Sequence, residues 1–253
     1  RGGWPKAVTA LNQNRYLKYA TDYYQQTINS DISIVDRCKR DPGTAALILK
    51  SCARNITRSA KLSSIKKDIL SLEKRTLCDE TISSYTKAFK NLFILEDSKA
   101  FEPKLRTRAT VRTSATRYFL DPSIACAALG IVPLDLENDL NTFGLLFENL
   151  VVRDLRIYAD AIDGKVYHYR DNLDLECDAV VHLRNGKYGL IEVKLGGEKL
   201  ISEGIKSLNK LEEKLDTTKM KAPAFKMVIT GVGKFAYKNK DGILIVPIGS
   251  LKD

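Results

Sequence analysis

The chain has 253 residues, room for one large domain or two smaller ones, and 44% of them are apolar, enough for a true core. No run approaches the roughly 20 apolar residues that a membrane-spanning helix needs, and no signal peptide is visible. A surplus of 41 Lys+Arg over 31 Asp+Glu, net +10, points to an anionic partner.

The charge is unevenly spread. Residues 1–120 hold 23 Lys+Arg and 11 Asp+Glu, net +12, whereas residues 121–253 hold 18 and 20, net −2. This asymmetry predicts two modules, with the anionic partner belonging to the first. Residues 1–30 read as a connecting helical segment. Its Tyr23, Tyr24 and neighbouring aromatics are expected to pack the helix rather than stack on bases. Pro42–Ser51 begins a helix, and Leu62–Leu72 begins another with Ser63 and Ser64 as cap candidates. After a break at Thr76–Asp79, Glu80–Leu92 forms a third helix with Ile82, Tyr85, Phe89 and Leu92 on one stripe. Phe93-Ile94-Leu95 starts a strand, and Ala109–Leu120 closes a small hairpin. Three helices followed by a β-wing make a winged-helix pattern over residues 31–120. There the third helix enters the major groove and the wing touches the backbone. Thr86, Lys87 and Lys90 are expected to face outward on that helix, with Arg106, Arg108 and Arg112 on or near the wing. DNA contacts of this kind weaken steeply with salt. A solvated basic surface or a protein-docking fold is the competing reading.

Residues 121–253 open a second, α/β module. Phe143–Tyr158 carries Phe143, Phe147, Leu150, Val151 and Leu155 at helical spacing, with Glu148 beside the stripe. A short strand follows at Lys165–Arg170. The stretch Asp174–Lys194 then reads as two strands joined by a tight turn. Side chains alternate along a strand, so Leu175, Cys177, Ala179, Val181 and Leu183 share an apolar face while Glu176, Asp178, Val180 and His182 point the other way. In the second strand Gly189, Ile191, Val193 and Leu195 oppose Tyr188, Leu190, Glu192 and Lys194. A two-residue Asn185-Gly186 turn would mix these faces. A three-residue loop, Arg184-Asn185-Gly186 with Gly186 left-handed, aligns them and pairs Asp178 with Glu192. Two carboxylates facing each other are unfavourable unless something neutralises them. Mg²⁺ or Mn²⁺ on Asp178 and Glu192 would do so, because hard cations take oxygen ligands, and Lys194 would then stabilise charge developing on a phosphate. Acidic residues on a wet strand face, balanced by Lys194 alone, are the plainer reading. Gly196-Gly197 stops the strand, Glu198–Leu215 is an amphipathic helix, and Ala224–Thr230 and Gly242–Val246 are further strands.

This order of elements resembles the PD-(D/E)XK (restriction-endonuclease-like) superfamily, an α/β fold on a central mixed sheet. Within it the chain is most similar to the C-terminal region of a bacterial and archaeal ATPase family that carries the DUF4143 domain. The matching pieces are Gly144–Val152 (GLLFENLVV), Tyr169-Arg170-Asp171, Glu176–Asp178 (ECD) and Ile191–Lys194 (IEVK), and at the N-terminus Arg1–Pro5 (RGGWP) with Tyr16–Ile32. The resemblance implies an α+β chain: a connecting segment at 1–30 after a P-loop ATPase module, a winged helix at 31–120, and a nuclease-like domain at 121–253. It implies that Asp178 and Glu192 are metal ligands, that Lys194 is the catalytic lysine, and that Glu148 is an auxiliary acid. ATP would bind only in the preceding module, since no G-x-x-x-x-G-K-[ST] occurs here and Gly231-Val232-Gly233-Lys234 is a faint echo of one. In place of the proline that often precedes the first acidic residue stands Cys177. That departure favours the alternative of a catalytically silent DNA- or protein-binding regulatory module.

The five cysteines (Cys38, Cys52, Cys78, Cys126 and Cys177) are scattered and never spaced as C-x-x-C. They suit small buried side chains in a reducing cytoplasm better than zinc or disulfides. His168 and His182 are too few for a histidine-based metal centre.

Overall fold

The computed structural model describes residues 2–9, 13–102, 114–215 and 221–251. The architecture is α+β, and the chain forms two compact units: Arg1–Asp97 with Thr116–Asn149, and Ser98–Ala115 with Leu150–Asp253.

The first unit is mainly helical. It contains α1 (Pro5–Val8), α2 (Gln13–Gln26), a π-helical turn at Thr27–Asp31, α3 (Ile32–Ile34), α4 (Pro42–Arg54), α5 (Leu62–Glu73), α6 (Asp79–Asn91), β1 (Leu95–Ser98), β2 (Thr116–Phe119), α7 (Pro122–Leu129), α8 (Pro133–Asn138) and the start of α9 (Leu140–Asp160). α4 begins where Asp41 caps it: its carboxylate accepts from Thr44 N and Thr44 Oγ1, each at 2.7 Å, and Pro42 supplies a pre-set φ. α5 starts differently from expectation. Its N-cap is Lys61, with no side-chain cap, and Ser63 and Ser64 lie inside the first turn. Burial of Ile65 and Ile69 holds that helix in place. Ile48, Leu49, Ile82, Phe89, Ile94, Phe119 and Ile124 form the core. Tyr24 is buried in it, and Trp4 packs on Tyr23 with ring centroids 4.6 Å apart and planes tilted by 43°, so these aromatics pack the N-terminal helix as the sequence suggests. β1 and β2 form a two-stranded sheet closed by Arg117, whose guanidinium reaches Asp97 at 2.9 Å. α7 and α8 are additions that the sequence reading passes over, although Asp121 caps α7 ahead of Pro122 and Gly130 ends it in the left-handed region.

The second unit is a six-stranded sheet. Its strands are β3 (Gly164–Arg170), β4 (Glu176–Leu183), β5 (Tyr188–Lys194), β6 (Phe225–Thr230), β7 (Tyr237–Lys238) and β8 (Leu244–Pro247), with α10 (Glu198–Lys214) between β5 and β6. The order is β3-β4-β5-β6-β8-β7. The first three strands are antiparallel, β5–β6–β8 run parallel, and β7 is an antiparallel edge, so the sheet is mixed. The hairpin register runs from Ala179↔Ile191 to His182↔Tyr188. Leu183 N donates to Lys187 O across a three-residue loop in which Gly186 has φ +80°. Loop and register both follow the sequence expectation.

The alternation of faces is also as read, but neither face is wet. Val180, Tyr188, Leu190 and Val228, on the same side as Asp178 and Glu192, pack with Leu208 and Leu211 of α10. On the other side Leu155, Tyr158 and Ala159 of α9 line an apolar cavity of about 310 Å³ with Val181, Ile191 and Met227. The β5–α10–β6 crossover is the cause: parallel strands need a connecting helix, and that helix covers a face. Phe101, from the segment that follows β1, completes this core against Tyr188, His182 and Tyr167, with centroids at 5.5, 5.8 and 6.1 Å. No helix among the described residues is long and apolar enough to cross a membrane.

Candidate functional site

The hairpin ladder, continued one step past Ala179↔Ile191, sets Asp178 across from Glu192. At that step the ladder changes character, for Val193 N–H donates to Asp178 Oδ2 at 2.7 Å. The strand end thereby becomes a place where side chains converge. Lys194 Nζ lies 2.8 Å from Glu192 Oε2 and 3.9 Å from Asp178 Oδ2. Ser207 of α10 donates to Glu192 Oε1 at 3.1 Å and fixes the carboxylate from the helix side. Gly204 lies at this contact: a Cβ there would meet Val228 Cγ2 at a tight 3.3 Å, and would touch Glu192 Cβ and Lys194 Cε at the ordinary contact distances of 3.4 and 3.5 Å.

The three groups differ in access to water. The Glu192 side chain is 4% exposed, that of Asp178 16% and that of Lys194 25%, so the cluster opens on the lysine side. Burial, and then the charge of Asp178, push the Glu192 carboxyl up to about 8. Burial also raises Asp178, against the pull of Lys194 and the Val193 amide. Cys177 is buried one residue away, and its thiol is held well above the usual range by burial and then by the two carboxylates.

Two buried carboxylates share one ammonium, which leaves a negative charge uncompensated if both ionise. A divalent cation relieves that state, and a pair of hard oxygen donors suits Mg²⁺ or Mn²⁺. Asp178 and Glu192 therefore fit the ion they are expected to hold. Among the described residues no group of three or more His, Cys, Asp and Glu is gathered for a metal. An ion here would complete its shell from backbone, water or a substrate phosphate, as Mg²⁺ commonly does.

Glu148 lies in the first unit, on α9, where its Oε1 accepts from Tyr118 Oη at 3.2 Å. Next to it Asn149 is fully buried and bonds both the N–H and the C=O of Phe119, at 2.8 and 2.7 Å. On α6, Thr86 does not face outward. It is 4% exposed, and its hydroxyl is spent on the carbonyls of Ile82 and Ser83, because it follows Tyr85 on the buried side of the helix. Lys87 is exposed, while Lys90 is exposed but ion-paired with Asp97. Arg106, Arg108 and Arg112 lie outside the described residues. His182 points between the rings of Phe101 and Tyr167, and His168 is buried with its pKa lowered by burial.

Sequence reasoning missed Ser207 and Gly204. The glycine inside an amphipathic helix was the available signal, since it costs helix stability unless something needs the space. Ser207 carried none, because its partner lies 15 residues away on another element.

Comparison with known proteins gives two matches: residues 1–135 to a family described as domain of unknown function DUF8612, and residues 143–251 to one described as domain of unknown function DUF4143. No curated protein matches the chain. The chain belongs to the DUF8612 family and carries a DUF4143 domain over the stretch that contains Asp178, Glu192 and Lys194.

Proposed function

We propose that the second unit cleaves phosphodiester bonds of nucleic acid with Mg²⁺ or Mn²⁺, and that the first is a winged helix which delivers DNA to it, as the C-terminal part of a P-loop ATPase. The observation that carries this reading is the convergence of Asp178 and Glu192 on Lys194 at a strand end that stays open on the lysine side. Asp178 and Glu192 would hold the cation, which supplies a Lewis acid and lowers the pKa of a bound water. The protein's own residues do the positioning. Val193 N–H aims Asp178, Ser207 aims Glu192, and Lys194 meets the charge that builds on the phosphate. Delivery of DNA rests on Lys87 and the basic surplus of residues 1–120, since Thr86 is buried and Lys90 is paired.

A second reading is a silent regulatory module that binds DNA or protein. The 2.8 Å ion pair between Lys194 and Glu192 favours it, as does Cys177 in place of proline, because a self-neutralised cluster can be purely structural.

One experiment separates them. The protein is incubated with plasmid and linear DNA in Mg²⁺, Mn²⁺ or EDTA, beside Asp178→Ala and Lys194→Ala. Metal-dependent cleavage that falls about 100-fold or more in both variants is expected, the scale of losing a preorganised charge partner. Unchanged cleavage in both would place the activity elsewhere. No cleavage, with salt-sensitive retention of DNA, would leave the regulatory module.

A further inference from the structure

The segment between β6 and β8 is the most unusual surface of the second unit. Gly231–Lys240 reads GVGKFAYKNK, with Lys234, Lys238 and Lys240 and no acidic residue. Val232 and Phe235 are each 68% exposed and Tyr237 45%, and all three lysines are exposed. The Phe235 and Tyr237 rings sit 6.2 Å apart at 63°, and exposures this large leave ring surface to solvent. Two neighbouring aromatics in water are costly unless something covers them.

The loop is braced as well as exposed. Gly231 N–H donates to the carbonyls of Lys194 and Leu195, at 3.3 and 3.1 Å. Thr230 Oγ1 donates to Val232 O at 2.9 Å. A Cβ on Gly196 would lie 2.4 Å from Val232 Cγ2, and one on Gly233 2.5 Å from Pro247 Cγ, so the loop rests directly on the strand ends. Asn239 Oδ1 then accepts from Asp241 N and Ile243 N and turns the chain into β8. Tyr237 lies in the edge strand β7, where it pairs with Ile245, so the rings stand at the edge of the sheet with β8 and β6 between that strand and Lys194 on β5.

We infer that this loop is a stacking platform for single-stranded nucleic acid: Phe235 and Tyr237 stack on unpaired bases, and Lys234, Lys238 and Lys240 meet the phosphates. Charge complementarity singles out this occupant. Bases in a duplex are already stacked and hidden, whereas an unpaired base offers a π-face to any ring, and lysines flanking the rings can meet the backbone. Any part in cleavage rests on the phosphodiester reading above; the binding itself is independent of catalysis.

The test uses the full chain in EDTA and follows the anisotropy of labelled 20-mers of single-stranded DNA, single-stranded RNA and duplex DNA. The variants are Phe235→Ala with Tyr237→Ala, Lys234→Ala, and Phe235→Trp. The double variant is expected to lose about 10-fold or more in affinity for single strands and less than about 2-fold for duplex, the scale of one or two lost stacks. Phe235→Trp keeps a ring and should bind as wild type does, which guards against a mere folding defect. The two single-stranded arms show whether DNA or RNA is preferred. Equal loss on single strands and duplex, or no loss on either, overturns the proposal. So does a wild type that binds none of the three, which would leave the patch to a protein partner. Cleavage assayed separately with Mg²⁺ keeps the two claims apart. A protein that never cuts but loses single strands in the double variant retains the platform and refutes the nuclease. A protein that cuts and binds equally well in both forms does the reverse.

Discussion

Glu192 carries the sharpest consequence of any single residue. Its carboxyl is pushed from 4.5 to about 8 by burial and by Asp178. A carboxyl that binds its proton more tightly when folded lowers stability as pH rises above the unfolded value, and the loss is complete above the folded one. Replacing it by Gln removes the term. In EDTA, Glu192→Gln should therefore match wild type near pH 4.5 and exceed it by about 1–3 kcal/mol at pH 8–9, measured by urea unfolding. Parallel stability curves at all pH values would refute this. Mn²⁺ should then raise the wild-type midpoint more than the variant's, since binding to the folded state alone adds stability. Asp171 behaves in the opposite sense. Burial raises it, but Lys214 and the amides of Leu175 and Leu173 outweigh that and lower its pKa. It is a structural clamp, and Glu192 is a strained one.

At the scale of elements the hairpin is the clearest case of sequence dictating form. Period-2 alternation and a loop with one glycine suffice to set the register, because a shift by one residue would turn every side chain over. Gly186 sits at φ +80°, where a β-branched residue is strained. Gly186→Val should cost about 1–2 kcal/mol, and Gly186→Asn less than half of that, because Asn tolerates the left-handed region. Equal losses for both in chemical denaturation would show that the turn does not need that conformation. What the alternation did not disclose was the cover on the second face. Val180 and Leu190 are apolar members of a face that also carries Asp178, and their burial depends on where α10 lands. The same gap explains Thr86: Ile82, Tyr85 and Phe89 marked the buried stripe of α6, but its width had to come from the neighbours. α7 passed unread because PSIACAAL has no polar face to give it a period.

For the whole molecule, the residues matched by each family do not coincide with the compact units. The DUF4143 match begins at residue 143, yet the second unit also takes Ser98–Ala115. Phe101 is 7% exposed, and its backbone N–H donates to His168 O at 2.6 Å. Phe101→Ala should cost about 3–4 kcal/mol, as for a buried ring, and should lower the midpoint of the sheet's unfolding while α4–α6 keep theirs, followed by hydrogen exchange. A uniform shift of all amides, or none, would contradict that. Glu148 shows the same mismatch from the other side: the helical stripe that brought it to notice continues smoothly along α9, and the boundary at Asn149–Leu150 leaves no trace in the spacing.

Phe101 also bears on how the chain can be cut for study. A fragment that starts at residue 143 would lack the plug against Tyr167, His182 and Tyr188, and three rings built to be covered would meet water. Such a piece would clump on expression, and its silence in an assay would report the missing plug rather than the chemistry of the strand end. Dissection works only if the short tether from the basic half travels with the sheet it seals.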